Sequence, residues 1–277
     1  MQTTVAIDDI DDPRLNPYRD LRHRGDDRGF IAEGHLIVER LLRSNHLVHS
    51  VLKMTHAKDI SLAGLARDVP IYTCDKAILS QVAGYAFHRG VLAHAAVPEL
   101  TSWRNHLASD DIAPLGLGLL HVTDAENVGG LLRTAAAFGF RDIWLGDGTV
   151  SPFSRRAIRV SMAAVFRLRF IDARSAVPIL ESCDQRGVET IATTLDRDAP
   201  CPGDGTLLQG GSDKPSVSSF DRKSVLWLGN EADGLPEAFQ AGCRRRVRLS
   251  MNNDIDSLNV AAAGAIFMHQ LSRGQSI

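Results

Sequence analysis

The sequence lacks the features that most quickly assign a chain to a class. Its 277 residues include only four cysteines, Cys74, Cys183, Cys201 and Cys243, which form neither a CxxC pair nor a cluster with histidine. This spacing argues against a disulfide framework and against the common zinc sites, so we expect reduced, partly buried thiols and no metal. No apolar run approaches the roughly 18 residues of a membrane span, and the acidic amino terminus has no signal-peptide pattern. These absences predict a cytoplasmic protein with no membrane partner.

The chain also lacks a large excess of charge. Its formal net charge is -2 and its pI is about 6.5, so it does not resemble a strongly basic nucleic-acid binder. A polyanion would have to be bound by local patches. Two stretches offer such patches: residues 151–170 carry arginines and no acidic residue, and "CRRRVRL" at 243–249 adds four more arginines. Arginine runs of this kind are more often solvated faces than binding sites.

Two common catalytic loops are missing as well. No GxGxxG sequence follows a predicted strand, which disfavours a dinucleotide-dependent oxidoreductase and a Rossmann-type methyltransferase. No GxSxG elbow is present, which disfavours hydrolase chemistry of that type.

Hydrophobic patterning predicts a small α/β unit at the amino terminus. The first twenty residues read as an extended lead-in, and 29–45 read as a helix with Ile37, Val38, Leu41 and Leu42 on one face. Further strands are predicted at 49–54, 70–74 and 90–97, and further helices at 60–68 and 75–84.

The pattern restarts after a linker at 98–116. Apolar strands are predicted at 115–122, 142–146, 189–195, 225–229 and 246–249, with helices at 129–138, 154–166, 175–187 and 257–271. Short apolar strands that alternate with helices predict a mostly parallel sheet covered on both faces. The segment 200–221 reads as a long loop. We therefore predict two domains, 1–105 and 106–277.

Unusual polar residues follow three of these strands, where ligands of parallel sheets collect. After the first, Asn127 reads as an N-cap, and Arg133 shares a helix face with Gly129 and Gly130, which suits binding of an anion. The other reading is that the glycines permit close helix packing.

The second and third stretches are "LGNEADGL" and "SLNVAAAGAI". Glu231 follows a buried strand, although it would also serve to cap a helix that begins near Pro236. Ser257 reads as an N-cap, with Asn259 in the first helical turn.

Together with "NVGGLLRTAAAFG", these stretches resemble, in order and spacing, the three motifs of the SpoU/TrmH family of RNA ribose 2'-O-methyltransferases, of the SPOUT class. The resemblance spans roughly residues 115–271. The amino-terminal part resembles the ribosomal-protein-like RNA-binding domain that often precedes this catalytic domain.

The resemblance implies an α/β fold with a trefoil knot in the carboxy-terminal domain, S-adenosylmethionine as cofactor, rRNA or tRNA as substrate, and a homodimer. It implies that the catalytic residues are Asn127, Arg133, Glu231, Ser257 and Asn259. It places Thr193, Gly229, Asn230, Leu249, Met251 and Leu258 at the cofactor, and it supports Arg155, Arg156 and Arg159 as RNA-binding residues. A catalytically inactive RNA-binding protein with the same fold is the alternative, and the intact motif residues argue against it.

Overall fold

The structure is a computed structural model that describes residues 4–21, 29–174, 177–196, 199, 223–251 and 257–272. The chain forms two compact units, and the first combines Met1–Glu99 with Ser151–Phe166. The second combines Leu100–Val150 with Arg167–Ile277. The predicted loop at 200–221 lies outside the described residues.

The first unit contains a mixed five-stranded sheet in the order β1-β4-β3-β5-β2. Its strands are β1 (Thr4–Ala6), β2 (Phe30–Glu33), β3 (Val48–Met54), β4 (Ile71–Cys74) and β5 (Val91–Ala95). Its helices are α1 (His35–Leu42), α2 (Lys76–Ala83) and α5 (Arg155–Val160). The strands predicted at 49–54, 70–74 and 90–97 are confirmed, as is the helix at 75–84.

Three predictions for this unit are wrong. The amino-terminal residues are not an extended lead-in, because β1 pairs with β4 and a 3-10 helix at Pro13–Tyr18 buries Leu15 and Tyr18. The helix predicted at 29–45 is interrupted, since Gly34 adopts φ +95° between β2 and α1. Residues 60–68 form turns rather than a helix.

The segment Ser151–Phe166 contributes to the core of this first unit. The ring of Phe30 on β2 lies 5.4 Å from that of Phe153 and 5.6 Å from that of Phe166, centroid to centroid. Arg40 of α1 also donates a hydrogen bond to the carbonyl oxygen of Met162. The predicted helix at 154–166 is divided into α5 and a 3-10 helix, Ala164–Arg167.

The second unit contains a seven-stranded sheet in the order β12-β10-β11-β7-β8-β9-β6, in which every pairing is parallel. Its strands are β6 (Thr101–Ser102), β7 (Leu115–Leu119), β8 (Asp142–Leu145), β9 (Arg169–Asp172), β10 (Glu189–Thr193), β11 (Ser224–Leu228) and β12 (Arg245–Val247). Its helices are α3 (Trp103–Ala108), α4 (Ala125–Ala137), α6 (Val177–Gln185), α7 (Glu237–Gly242) and α8 (Val260–Ser272). The predicted parallel α/β architecture is therefore confirmed for this unit, although β6 and β9 were not predicted.

The "LGLG" sequence of β7 leaves room for large rings on the neighbouring strands. A Cβ atom on Gly118 would lie 2.2 Å from Cδ2 of Trp227, and one on Gly116 would lie 3.1 Å from Nε1 of Trp144. Both tryptophans are fully buried. Glycine at these positions therefore serves core packing and not nucleotide binding.

A buried ionic network holds the start of β8. Asp142 is 1% exposed, and its carboxylate accepts hydrogen bonds from the backbone N–H of Ala113 (2.8 Å) and from Arg169 Nε (2.8 Å). His106 Nε2 lies 3.0 Å from Oδ2 of Asp142. Burial opposes ionisation of Asp142, but the nearby His106 ring and the hydrogen bonds from Ala113 and Arg169 outweigh it and hold the pKa of this carboxyl below its usual value.

Two kinds of feature are absent from the described residues. None of the helices there combines the length and the apolarity that crossing a membrane requires. In the same part of the chain, no three His, Cys, Asp or Glu side chains are grouped so that they could hold a metal ion. Cys74, Cys183 and Cys243 are free thiols, and burial raises the pKa of Cys74 to about 11 and that of Cys183 to about 12.

Candidate active site

The loop after β11 is folded back by a short backbone pairing. The N–H of Asn230 donates to the carbonyl oxygen of Gly234 (3.1 Å), and the N–H of Gly234 donates to that of Asn230 (2.9 Å). A Cβ atom on Gly229 would lie 2.2 Å from the carbonyl carbon of Gly234, which itself adopts φ +67°. The turn therefore requires glycine at both positions.

The side chain of Asn230 fixes this loop to the end of β7. Its Oδ1 accepts hydrogen bonds from the N–H groups of Ala232 (2.8 Å) and Asp233 (3.4 Å), and its Nδ2 donates to the carbonyl oxygen of His121 (3.1 Å). His121 has φ 58°, an uncommon conformation for a residue other than glycine. Asn230 thus orients the residue that follows it, Glu231.

A chain of three side chains connects the three motif stretches. Nδ2 of Asn259, just before α8, donates to Oδ1 of Asn127 on α4 at 2.9 Å. Nδ2 of Asn127 in turn donates to Oε1 of Glu231 at 2.5 Å. The motifs are far apart in sequence, and the fold brings these three residues into direct contact.

The first turn of α8 sets the direction of this chain. Oδ1 of Asn259 accepts the N–H groups of Ala261 (2.9 Å) and Ala262 (3.3 Å), so its Nδ2 must face Asn127. The oxygen of Asn127 then faces Asn259, and its amide N–H is left to donate to the carboxylate. Among the described residues, none donates a hydrogen bond to Oε2 of Glu231, so that oxygen remains open to a ligand.

Two predicted helix caps are wrong. The N-cap of α4 is Asp124, whose Oδ1 accepts from the N–H groups of Glu126 and Asn127, so Asn127 lies inside the helix with its side chain free for Glu231. The first turn of α8 is capped by Asn259 and not by Ser257. In both cases more than one residue near the helix start is of a type that commonly serves as an N-cap. The alternative role for Glu231 also fails, because α7 begins after Pro236 with no side-chain cap.

A pocket of about 220 Å³ opens beside Glu231, beyond the carboxyl ends of β10, β11 and β12. All six residues predicted at the cofactor line it: Thr193, Gly229, Asn230, Leu249, Met251 and Leu258. Glu231 and Ser257 line it as well. The structure thus brings eight of the predicted site residues together at one cavity.

Other lining residues were not predicted. Val260, Ala263 and Phe267 contribute one face of α8, and their spacing of three and four residues is a helical signal that could have identified them. Asp196 and Asp233 add carboxylates, but they lie in loops whose sequence carries no comparable pattern. The pocket therefore combines an apolar lining with several acidic groups.

Arg133 differs from the other predicted catalytic residues. It is exposed on α4, it does not line the pocket, and its guanidinium makes no hydrogen bond or ion pair with any described residue. The nearby glycines serve helix packing: a Cβ atom on Gly130 would lie 3.4 Å from Cβ of Ala261, and one on Gly264 would lie 2.4 Å from Cδ2 of Leu131. Arg133 is thus unpaired and available to a ligand from solution.

The predicted basic stretches have different environments. In "CRRRVRL" each arginine has a protein partner: Arg244 with Asp184, Arg245 with Glu189, Arg246 with Asp196, and Arg248 with the carbonyl oxygen of Ala199. Arg155, Arg156 and Arg159 lie on α5 in the first unit, where Arg155 Nη1 donates to Oε2 of Glu33 at 3.3 Å.

Comparison with known proteins identifies relatives over most of the chain. The model of the SpoU rRNA Methylase family matches residues 114–269. An uncharacterized tRNA/rRNA methyltransferase of Mycobacterium tuberculosis is 31% identical over 277 residues, covering 96% of this chain and 90% of the relative. The 23S rRNA (guanosine(2553)-2'-O)-methyltransferase RlmP of Bacillus subtilis is 26% identical, covering 87% of this chain and 88% of the relative.

Solved structures share the fold. The crystal structure of an rRNA methyltransferase from Sinorhizobium meliloti has a TM-score of 0.78 and 22% identity, covering 99% of this chain and 100% of that one. A structure of an AdoMet-bound rRNA methyltransferase from the same organism has the same TM-score and identity, covering 99% of each chain. The family match includes all three motif stretches that form the pocket and its hydrogen-bonded rim, and the chain therefore belongs to the SpoU rRNA methylase family.

Proposed function

We propose that this protein is an enzyme that transfers a methyl group from S-adenosylmethionine to a ribose 2'-hydroxyl of rRNA or tRNA. The observation that carries the proposal is the hydrogen-bonded chain from Asn259 through Asn127 to Glu231 at the rim of the pocket. All three residues belong to motifs of the family, and their contact depends on the fold rather than on sequence proximity.

The pocket suits S-adenosylmethionine. Its apolar side chains, such as Leu249, Met251 and Leu258, would contact the adenosine, and Thr193, Gly229 and Asn230 offer hydrogen-bonding groups at the strand ends. Glu231, Asp196 and Asp233 place negative charge around a ligand that carries a positive sulfonium and an ammonium group. When bound, this cofactor supplies the methyl group that is transferred. The AdoMet-bound structure with the same fold supports the choice of cofactor.

The chain's own residues would act mainly by positioning. Attack on a methyl carbon requires the ribose oxygen to lie in line with the bond that breaks, so its orientation supplies much of the rate enhancement. Asn127 and Asn259 hold Glu231 in one orientation, and its open Oε2 would accept the ribose hydroxyl, with Ser257 beside it. Arg133 would bind the phosphate next to the target ribose. A guanidinium has a pKa above about 12 and is a poor base, so we assign it no proton abstraction.

We further propose that residues 1–105 form a substrate RNA-binding domain and residues 106–277 the catalytic domain. Arg155, Arg156 and Arg159 fall within 106–277 in sequence, but Ser151–Phe166 packs within the first unit, so these arginines would contribute to RNA binding from that unit. Relatives named as tRNA/rRNA and 23S rRNA methyltransferases support RNA as the substrate.

Three properties of the family complete the proposal. The carboxy-terminal domain would contain a trefoil knot, the protein would act as a homodimer, and it would be cytoplasmic. Family membership supports the first two, and the sequence composition supports the third.

Transfer of tritium from S-adenosylmethionine labelled in its methyl group tests the activity. The substrate is total RNA from cells that lack the protein, with heat-denatured protein as the control. We expect acid-precipitable label that is released by ribonuclease. A protein that binds S-adenosylmethionine and RNA but transfers no label would instead be the inactive RNA-binding alternative.

A further inference from the structure

A buried carboxylate in the first unit is shared by two arginines. Glu33, the last residue of β2, has a side chain only 4% exposed. Its Oε1 lies 3.2 Å from Nε of Arg89, and its Oε2 lies 3.3 Å from Nη1 of Arg155. A carboxylate at this depth needs such partners, because an unpaired buried charge is strongly destabilising.

Arg155 is fixed by more than this ion pair. Its Nη1 also donates to the hydroxyl oxygen of Tyr85 at 2.7 Å, and its guanidinium carbon lies 5.0 Å from the centroid of the Tyr85 ring. Burial, together with the charge of Glu33, raises the pKa of Tyr85 to about 12, so this phenol remains neutral. Glu33, Tyr85 and Arg155 therefore form a structural group that holds α5 against β2.

Arg159 has no such partner. It follows Arg155 by four residues on α5, so the two side chains share a helix face. It is half-buried, and it makes no hydrogen bond or ion pair with any residue of the described chain. Burial lowers its pKa, and the charges of Arg156, Arg89 and Arg155 lower it further, against the opposing effect of Glu33.

This arrangement is unfavourable for the isolated protein. A half-buried cation among like charges weakens the fold, whereas an anion placed against it would remove the repulsion. Arg156 is exposed and precedes Arg159 by three residues on α5, and Arg89, whose side chain is 48% exposed, shares Glu33 with Arg155 one helical turn from Arg159. Phosphate oxygens are the acceptors that arginine forks match best.

We infer that Arg159, with Arg89 and Arg156, forms a binding site for a backbone phosphate of RNA, and that Glu33, Tyr85 and Arg155 position this site. The inference rests on the proposed function in that RNA supplies the phosphate. It gives the three arginines of α5 different parts in RNA binding: Arg156 and Arg159 contact the phosphate, and Arg155 acts indirectly by positioning them.

The test compares Arg159→Gln with Arg155→Gln in the full chain. A matched control is Arg67→Gln, which removes the same charge from an exposed arginine of the same unit. The probe is a fluorescent single-stranded RNA of mixed sequence, about 20 nucleotides long, titrated over a series of KCl concentrations. Melting temperature and affinity for S-adenosylmethionine are measured on each variant.

We expect Arg159→Gln to weaken RNA binding about three- to tenfold at low salt. The slope of log affinity against log salt should fall by about 0.7, the value for one phosphate contact on a single strand. Its melting temperature should be unchanged or higher, since like-charge repulsion is removed. Arg155→Gln should instead lower the melting temperature, because it leaves Glu33 with one cationic partner fewer. Arg67→Gln should match the wild type in RNA affinity, in salt dependence and in melting temperature.

The inference would be overturned if Arg159→Gln bound RNA with the same affinity and the same salt dependence as the wild type. A melting temperature lowered as far as in Arg155→Gln would also overturn it, by showing a structural role. A further experiment measures melting temperature with and without inorganic phosphate at constant ionic strength. If phosphate raised the melting temperature of the wild type but not that of Arg159→Gln, and the two bound RNA equally, the site would bind a free anion and not RNA.

The outcome is separable from that of the proposed function. Methyl transfer by the wild type with an unaffected Arg159→Gln would refute only this site. Weaker RNA binding by Arg159→Gln, in a protein that transfers no methyl group, would refute only the activity.

Discussion

Asn127 Nδ2 donates a 2.5 Å hydrogen bond to Oε1 of Glu231, and this contact joins two elements that are 104 residues apart in sequence. Asn259 orients Asn127 from the other side. The Glu231 carboxylate at the pocket rim is therefore held directly by α4, through Asn127, and indirectly by the start of α8, through Asn259. The first prediction follows from this contact.

The two side chains should act as one unit. A hydrogen bond to a charged group contributes about 1.5–3 kcal/mol, so Asn127→Ala and Glu231→Ala should each slow methyl transfer about 10- to 150-fold. The double variant should be slowed little more than the slower single variant, as measured by single-turnover rates at saturating RNA and S-adenosylmethionine. Multiplicative effects would show that Asn127 and Glu231 act independently.

Arg133 is predicted to act on RNA binding and not on stability. Arg133→Lys keeps the charge but loses the two-pronged contact with phosphate, so KM for RNA should rise several-fold. Affinity for S-adenosylmethionine and the melting temperature should be unchanged, since the guanidinium has no described partner in the protein.

The matched control for Arg133 is Arg186→Lys, at an exposed arginine just after α6, which should leave KM unchanged. A lower kcat with unchanged KM in Arg133→Lys would contradict the phosphate-binding role.

The packing of α4 on α8 predicts opposite effects for two glycines. Gly264→Ala places a Cβ atom 2.4 Å from Cδ2 of Leu131 and 2.8 Å from Cδ1 of Leu228, and overpacking of this kind costs about 1–3 kcal/mol. Gly130→Ala meets only Cβ of Ala261, at 3.4 Å, and gains up to about 1 kcal/mol of helix propensity.

Gly264→Ala should therefore lower the melting temperature by about 2–6 °C and weaken binding of S-adenosylmethionine, because Leu228 lines the pocket. Gly130→Ala should leave the melting temperature unchanged or raise it. Equal melting temperatures for the two variants would show that the helices do not pack this closely.

Asp142 should contribute to stability in a pH-dependent way. Its pKa in the folded state lies below the usual value of 3.8, so its contribution is complete above about pH 5 and is lost as the pH falls through that usual value toward the folded one. Asp142→Asn should destabilise the protein at pH 7, since Arg169 loses a buried partner.

The difference in unfolding free energy between wild type and Asp142→Asn should shrink as the pH is lowered from 6 toward 3. Subtracting the two curves removes the contributions of other acids, such as Asp12 and Asp172. A difference that stays constant over this range would show that folding does not lower the pKa of Asp142.

Much of the second unit could be predicted from the sequence. Strands such as β7 and β11 are continuous apolar runs bounded by polar loops, and burial on both faces explains that pattern. The residues of the pocket could be located from motif positions, because their roles are tied to strand ends. β9 was missed because Arg169, which pairs with Asp142 and Asp111, interrupts its apolar pattern.

Tertiary contacts account for most of the remaining differences between the predictions from the sequence and the structure. The amino-terminal residues look polar, yet Leu15 and Tyr18 are fully buried once β1 adds to the sheet. Likewise, no local signal shows that Asp124 rather than Asn127 caps α4, since both residue types are good caps and the choice depends on Glu231. Asp196 and Asp233 reach the pocket only through the path of their loops.

The most direct measurement is to locate the transferred methyl group. RNA methylated by the wild-type protein should be digested to nucleosides and analysed by mass spectrometry, with Glu231→Ala as the comparison. We predict a methyl group on the ribose 2'-oxygen of one nucleotide, resistant to alkaline cleavage at that position, and strongly reduced in the variant. A methyl group on a base, or no methylation by a protein that still binds S-adenosylmethionine, would contradict the proposed function.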